Sequence, residues 1–227
     1  MQLIPNNTII FLKQLKLNNN RYWFNENKLE FQSIQIDVKK FAQEVKDELK
    51  LSDDIDNFKI FRIYRDLRFL KNKVPYKINF GISFKRISPS LRGGYYLHIK
   101  PNDTFIACGF FKPNKEDLLR IRREFEFNSN EFREIINEKS IKKNWGNIDG
   151  NPVKTNPRGF SKEHSNIDLI RMKRYLFFKK YRDNSVFSSN FINNISHDFM
   201  SMRPFLDYMS NVLTTDLNGL SVLQNDL

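Results

Sequence analysis

An α+β domain built on an antiparallel β-meander, packed by N-terminal and C-terminal helices, is what this chain predicts. Helix-period apolar stripes occupy both ends. Ile34, Val38, Phe41, Val45 and Leu49 mark the first; Ile192, Ile195, Phe199, Met202, Phe205, Met209, Val212 and Leu213 mark the last. Between them lie short strand-like runs joined by the turn signals Gly93-Gly94 and Pro101-Asn102-Asp103. That middle section lacks the strand–helix–strand alternation of a parallel sheet. With 227 residues, 40% of them hydrophobic and 22 of them phenylalanine, the chain has the apolar surface for one core. No repeat or linker divides it, so 1–227 reads as a single domain.

Each element follows from local pattern. Asn7 or Thr8 caps a first helix carrying Ile9, Ile10, Leu12, Leu15 and Leu17, and the run Asn18-Asn19-Asn20 ends it. Asn20 then caps a second, longer helix. Residues 58–64 read as a strand that is apolar on both alternations. Phe80, Ile82 and Phe84 alternate with Gly81, Ser83 and Lys85 in a half-buried one. Strands at 95–100 and 104–111 form a hairpin about Pro101. Asn114 caps a helix containing Leu118, Leu119, Ile121 and Phe125, and Asn128 with Glu131 makes a capping-box-like start for the next. The stretch 140–164 is rich in Asn, Gly, Pro and Lys and reads as a long irregular loop, a type that is commonly functional or mobile. Ser165 with Asp168 opens a short helix, 175–181 is a fifth strand, and Pro204 interrupts a closing helix over 189–215.

Charge and cysteine usage narrow the function classes. A formal charge of +12 and a pI near 9.7 favour an anionic small molecule or nucleic acid as partner. The lysines form no run of five or six, so solvated surface lysines account for the pI equally well. Cys108 is the only cysteine, which excludes an intrachain disulfide and a cysteine-based zinc site; its apolar neighbours predict a buried, inert thiol. No run approaches the length of a membrane span and no targeting pattern opens the chain, so no membrane association and a reducing cytoplasm are expected.

Chemistry-bearing residues concentrate in 61–77, which holds Arg62, Arg65, Arg68, Asp66, Lys73, Tyr76 and Lys77. Strand alternation would place Arg62 beside Phe58 and Ile60 on one face, and Arg65 beside Phe61 and Ile63 on the other. Each arginine then extends an apolar row, and a buried guanidinium needs a counter-charge. That partner is either an acid within the fold, such as Asp66 or a helix glutamate, or a bound ligand. Three arginines outnumber the one local acid, which favours an anionic, phosphate-bearing ligand. Arg62, Arg65 and Arg68 would supply forks, Lys73 and Lys77 point charges, and Tyr76 an orienting hydroxyl. Arg158, in the turn Pro157-Arg158-Gly159, is placed to close over it.

Two alternatives share these residues. In a phosphoester hydrolase or nuclease the arginines would stabilise developing negative charge, with Asp66, His98 or His164 as acid or base. In a non-enzymatic nucleic-acid binder, aromatics beside basic residues (Tyr64, Phe69, Tyr76, Tyr95, Tyr96 and Phe160) would stack bases. Alternation puts His98 with Tyr96 and Lys100, opposite the core row; His197 reads as structural. No His-x-His, His-x-x-x-His or Glu-x-x-His spacing occurs, so no metal site is expected. Phosphate-loop, dinucleotide and nucleophile-elbow motifs are lacking too, and no cofactor is expected.

Arg62, Arg65, Asp66, Arg68, Phe69, Asn72, Lys73 and Tyr76, at their spacing, resemble the signature of the bacterial family known as domain of unknown function 2461. The similarity extends to the opening Asn19-Asn20-Arg21-Tyr22-Trp23-Phe24 and to Gly94-Tyr95-Tyr96-Leu97-His98-Ile99. It continues through Pro157-Arg158-Gly159-Phe160 with His164 to Arg203-Pro204, nearly the whole chain. The resemblance implies no activity, because none is assigned to the family. Where members often carry Asp before the lysine, this chain has Asn72, which removes a carboxylate and shifts the balance from catalysis toward binding.

Overall fold

A five-stranded antiparallel sheet, with its strands in sequence order, organises the computed structural model, which describes residues 3–68 and 74–223. The chain enters through α1 (Asn6–Leu17), α2 (Arg21–Glu26) and α3 (Lys28–Leu49). It then forms β1 (Ile55–Ile60), β2 (Phe80–Arg86), β3 (Gly94–Ile99) and β4 (Thr104–Phe110). Helices α4 (Lys115–Phe127), α5 (Asn130–Asn137), α6 (Lys139–Trp145) and α7 (Ile167–Ile170) precede β5 (Tyr175–Tyr181). Helices α8 (Asp183–Val186), α9 (Phe191–Met200) and α10 (Arg203–Thr214) close the chain. This is the expected α+β meander. No helix is long and apolar enough to cross a membrane among the described residues.

Several boundaries are set by the predicted caps. The Asn20 side chain accepts from the Trp23 N–H at 3.0 Å, and that of Asn114 from the Asp117 N–H at 2.7 Å. Pro204 sits in the first turn of α10, where its missing N–H leaves no helical hydrogen bond unmade. Four expectations need correction. Neither Asn7 nor Thr8 caps α1; both lie inside it, and it starts after Pro5 with no side-chain cap. The long helix after Asn20 breaks at Asn27, whose side-chain amide donates to the Trp23 carbonyl at 2.8 Å and ends α2. The break lets Phe24 and Phe31 meet, with ring centroids 5.2 Å apart. Asn128 and Glu131 form no capping box; Ser129 precedes α5 without a side-chain cap. The loop expected from 140 begins later, because Glu138 accepts the N–H groups of Ser140 and Ile141 and starts α6.

One face of the sheet is buried under helices. Its residues include Ile82, Phe84, Leu97, Ile106 and Phe177, and rings from the helices meet it, as Phe31 meets Phe80 and Phe199 meets Tyr95. Register keeps this face continuous, with Ile82 opposite Leu97, Leu97 opposite Ile106 and Cys108 opposite Phe177. Cys108 is buried as expected, and desolvation pushes its thiol well above its ordinary value.

Arg86 ends β2 on the same row and is fully buried. Its Nε lies 2.8 Å from Asp53 Oδ2, its Nη1 donates to Ser210 Oγ at 3.2 Å, and its Nη2 pairs with Asp207 of α10. The Tyr95 hydroxyl donates to Asp53, and Arg203 bridges Asp53 at 3.7 Å and Asp207 at 3.1 Å. Burial, reinforced by Cys108 and Asp53, raises the Tyr95 phenol far above its ordinary value and keeps it a donor. This network ties α10 and the end of β2 to the turn between α3 and β1.

Candidate ligand site on the open sheet face

The other sheet face carries the alternate residues, and a cavity of about 910 Å³ lies over it. Small-molecule pockets span roughly 300–1,000 Å³. Every lining residue comes from a strand or from the stretches flanking one. Ser83, Ala107, Gly94 and Gly109 contribute small side chains or none, and the last two sit opposite each other. Phe61, Tyr96, His98, Phe105 and Phe178 form an unbroken chain of ring contacts across the face. Lys59, Lys77 and Lys85 also line it, with Asp56 as the carboxylate among the described lining residues.

His98 faces this cavity, on the side the alternation predicted. Its ring stacks on Phe105 with centroids 4.5 Å apart and an interplanar angle of 14°. Its Nδ1 lies 3.2 Å from the Tyr96 hydroxyl and 3.4 Å from the Asn79 side-chain nitrogen. The Asn79 nitrogen can only donate, so Nδ1 accepts and the neutral ring carries its proton on Nε2. Burial, and secondarily Lys100, lowers its pKa from 6.5 to about 4. Because the folded value lies below the unfolded one, His98 favours folding fully above pH 6.5. That contribution is lost as pH falls from about 6.5 toward 4. An NMR titration is expected to find the His98 imidazole neutral at pH 5.5; a midpoint near 6.5 would contradict this environment.

The arginine-bearing segment departs from expectation. The ladder of β1 stops at Ile60, so 58–64 is not one continuous strand. The pairing then continues as single contacts. Phe61 N–H donates to Gly81 O at 2.9 Å, Lys77 N–H to Ile63 O at 2.7 Å and Arg65 N–H to Pro75 O at 2.8 Å. Arg62 and Arg65 do not extend buried rows; both are exposed, and Ile63 alone between them is buried. Arg68 holds Asp66 bidentately, Nε–Oδ1 at 3.0 Å and Nη2–Oδ2 at 2.7 Å, which keeps the Asp66 carboxyl below its ordinary value. Asp66 is therefore an occupied acceptor. Arg62 and Arg65 have no carboxylate partner among the described residues, and with burial as the larger cause they lower the Lys77 pKa.

Tyr76 is 3% exposed and stacks on Phe24 with centroids 4.0 Å apart. The Asn19 side chain accepts from its N–H at 3.0 Å and donates to its carbonyl at 3.1 Å. Asn19 through Phe24 thus clamps the base of the arm, and Tyr76 is part of that packing. Lys73, with Phe69 and Asn72, lies outside the described residues. Arg158 is exposed and does not line the cavity; beside it Phe160 is buried under the Arg123 guanidinium at 4.8 Å. His164 Nδ1 accepts from the Asn166 N–H at 3.1 Å at the turn into α7, also outside the cavity. His197, read as structural between apolar neighbours, is exposed on α9.

Sequence reasoning missed two groups. Phe61, Phe105 and Phe178 on the open face carry no signal separating them from core aromatics. Arg86 had one, since period-two alternation runs Phe80, Ile82, Phe84, Arg86.

Fold and site together define a helix-backed antiparallel-sheet domain with one open, ring-walled face. The family model described as "Conserved hypothetical protein (DUF2461)" matches residues 7–208, from α1 into α10, and the chain belongs to that family. Searches of curated proteins and of solved structures returned no match.

Proposed function

We propose that this protein binds an anionic, phosphate-bearing small molecule, its anion held by Arg62, Arg65 and Lys77 and its body lying on the open sheet face. One observation carries this reading. Lys77 lines a largely aromatic cavity; Arg62 and Arg65 lie outside its lining but near enough to act on Lys77, and none of the three forms an ion pair with a carboxylate among the described residues. Asp66, which feels Arg62 but is held by Arg68, is the one acid near these cations; cations in excess repel each other, and a bound anion relieves that repulsion through charge-assisted hydrogen bonds.

The site favours binding over phosphoester hydrolysis. His98 is hydrogen-bonded to Asn79 and Tyr96, not to an acid. Asp56 lines the opposite end of the cavity. Its neighbour Asn57 pairs with Lys85 and His98 with Gly81, four positions apart along β2, or about 13 Å. Asp66 is occupied by Arg68.

The test is calorimetric titration with nucleoside monophosphates, sugar phosphates and a hexanucleotide. At least one monophosphate is expected to bind. Arg65→Ala is expected to weaken it by about 10- to 100-fold, the scale of one charged hydrogen-bonding group, with little change in Tm. Binding of no phosphate compound, or unchanged affinity in Arg65→Ala, would sink the proposal. A hexanucleotide that binds far tighter than its monophosphate, with steep salt dependence, would assign the face to nucleic acid instead.

A further inference from the structure

Resting on the phosphate-ligand reading above, we infer that the ligand is an amphiphile: a phosphate monoester of a long aliphatic chain, whose tail crosses the sheet face to the Gly94–Gly109 pair. Asn79, just before β2, and Lys85, near its end, both line the cavity. They stand six positions apart, so the cavity extends about 20 Å along the sheet. Lys77, with Arg62 and Arg65 near it, stands at the Asn79 end. A phosphate held there leaves most of that length for the rest of the molecule.

Tyr96 decides where the open volume lies. Its ring covers Gly81, with ring carbons 3.2 and 3.3 Å from the place of a Cβ, and its hydroxyl is 3.2 Å from His98 Nδ1. The ring therefore leans along β3 toward His98 and away from Gly94. No gap is left between Phe61 and His98 for a ligand ring, and the rings at that end form a closed apolar shelf. Past Tyr96 the face is lower, because Gly94 and Gly109 stand opposite each other without side chains. Leu176, opposite Gly109, and Phe111, just past β4, bound this trough.

The trough suits an aliphatic tail. Gly94, Gly109, Leu176 and Phe111 offer no side-chain hydrogen bond, whereas a sugar or base is held by placed polar groups. Phe61, Phe111 and Phe178 are 39%, 71% and 37% exposed along this one cavity, and a chain lying over them covers apolar surface that otherwise meets water. Lys59 and Lys85 flank it on β1 and β2, where their stems can lie along a chain with the amines in water.

Calorimetry tests this with ethyl, hexyl and dodecyl phosphate, the last below its micelle concentration, on wild type, Phe111→Ser and Arg65→Ala. Affinity is expected to rise with chain length, by at least about tenfold from ethyl to dodecyl, against a ceiling of about fourfold per buried methylene. Phe111 is exposed enough for Phe111→Ser to leave Tm unchanged. That variant is expected to weaken dodecyl phosphate by about fourfold, one uncovered methylene, and to leave ethyl phosphate as it was. Arg65→Ala is expected to weaken all three. Equal affinity for ethyl and dodecyl phosphate, both weakened by Arg65→Ala, would overturn this inference alone. So would an unchanged dodecyl affinity in Phe111→Ser. Tighter binding to phosphatidic acid vesicles than to dodecyl phosphate would overturn it too, assigning the face to a membrane surface. Failure of every phosphate to bind, or dodecyl binding untouched by Arg65→Ala, would overturn the anion-receptor reading and this one with it.

Discussion

Arg86→Ala is expected to lower folding stability by about 3–5 kcal/mol, the range measured when one partner of a buried ion pair is removed. The guanidinium is fully buried and bonded to Asp53, Asp207 and Ser210. Without it, Asp53 is left at 1% side-chain exposure with the Tyr95 hydroxyl, the Asp54 N–H at 2.8 Å and the more distant Arg203 as partners. A buried carboxylate that has lost its main counter-charge either stays charged at high cost or takes up a proton, and both outcomes weaken the folded state. Pairing Arg86→Met with Asp53→Leu is expected to recover part of the loss, because the orphaned charge goes with its partner. Urea denaturation of the three proteins measures this. A loss under 1 kcal/mol in Arg86→Ala would show that the network does not anchor α10.

Gly109→Ala is expected to cost about 3 kcal/mol or more. Gly109 has φ +126, a conformation L residues rarely adopt, and an added Cβ would collide with the Tyr175 carbonyl. Backbone strain of that kind alone costs about 1–3 kcal/mol. The collision falls on the backbone of the paired strand, so relief requires shifting β4 against β5 beneath the cavity floor. Gly146 supplies the control. Its φ is +74 with ψ −139, also a glycine conformation, but nothing lies within 4 Å of an added Cβ, so Gly146→Ala is expected to show the backbone strain alone, about 1–3 kcal/mol. Thermal denaturation separates the two; equal effects would mean that β4 and β5 adjust freely.

Local pattern governs the strands and caps and stops governing where long-range packing begins. Alternation located β2 through β5 and set His98 with Tyr96 opposite the core row, because strand side chains alternate whatever the neighbours do. Side-chain caps located the starts of α2 and α4, since an Asn oxygen within reach of a free N–H is a local matter. The break at Asn27 was hidden, because it follows from Phe24 turning onto Tyr76, a residue 52 positions away in the chain. The same docking explains the arginines. Extending alternation through Arg65 assumed a continuous ladder, whereas the ladder ends at Ile60 and the chain bends so that Ile63 and Tyr76 enter the core.

By itself the sequence determined the fold class, the antiparallel meander of the neighbouring strands before α4, and the family, because these rest on periodicity, turn signals and residue spacing; where β5 pairs was not legible. The tertiary structure alone decided which sheet face the helices cover, and therefore that Phe61, Phe105 and Phe178 wall a cavity. It also decided which arginine is buried. Both outcomes depend on long-range packing, and an aromatic or arginine on an alternating strand reads the same whether its face meets a helix or water.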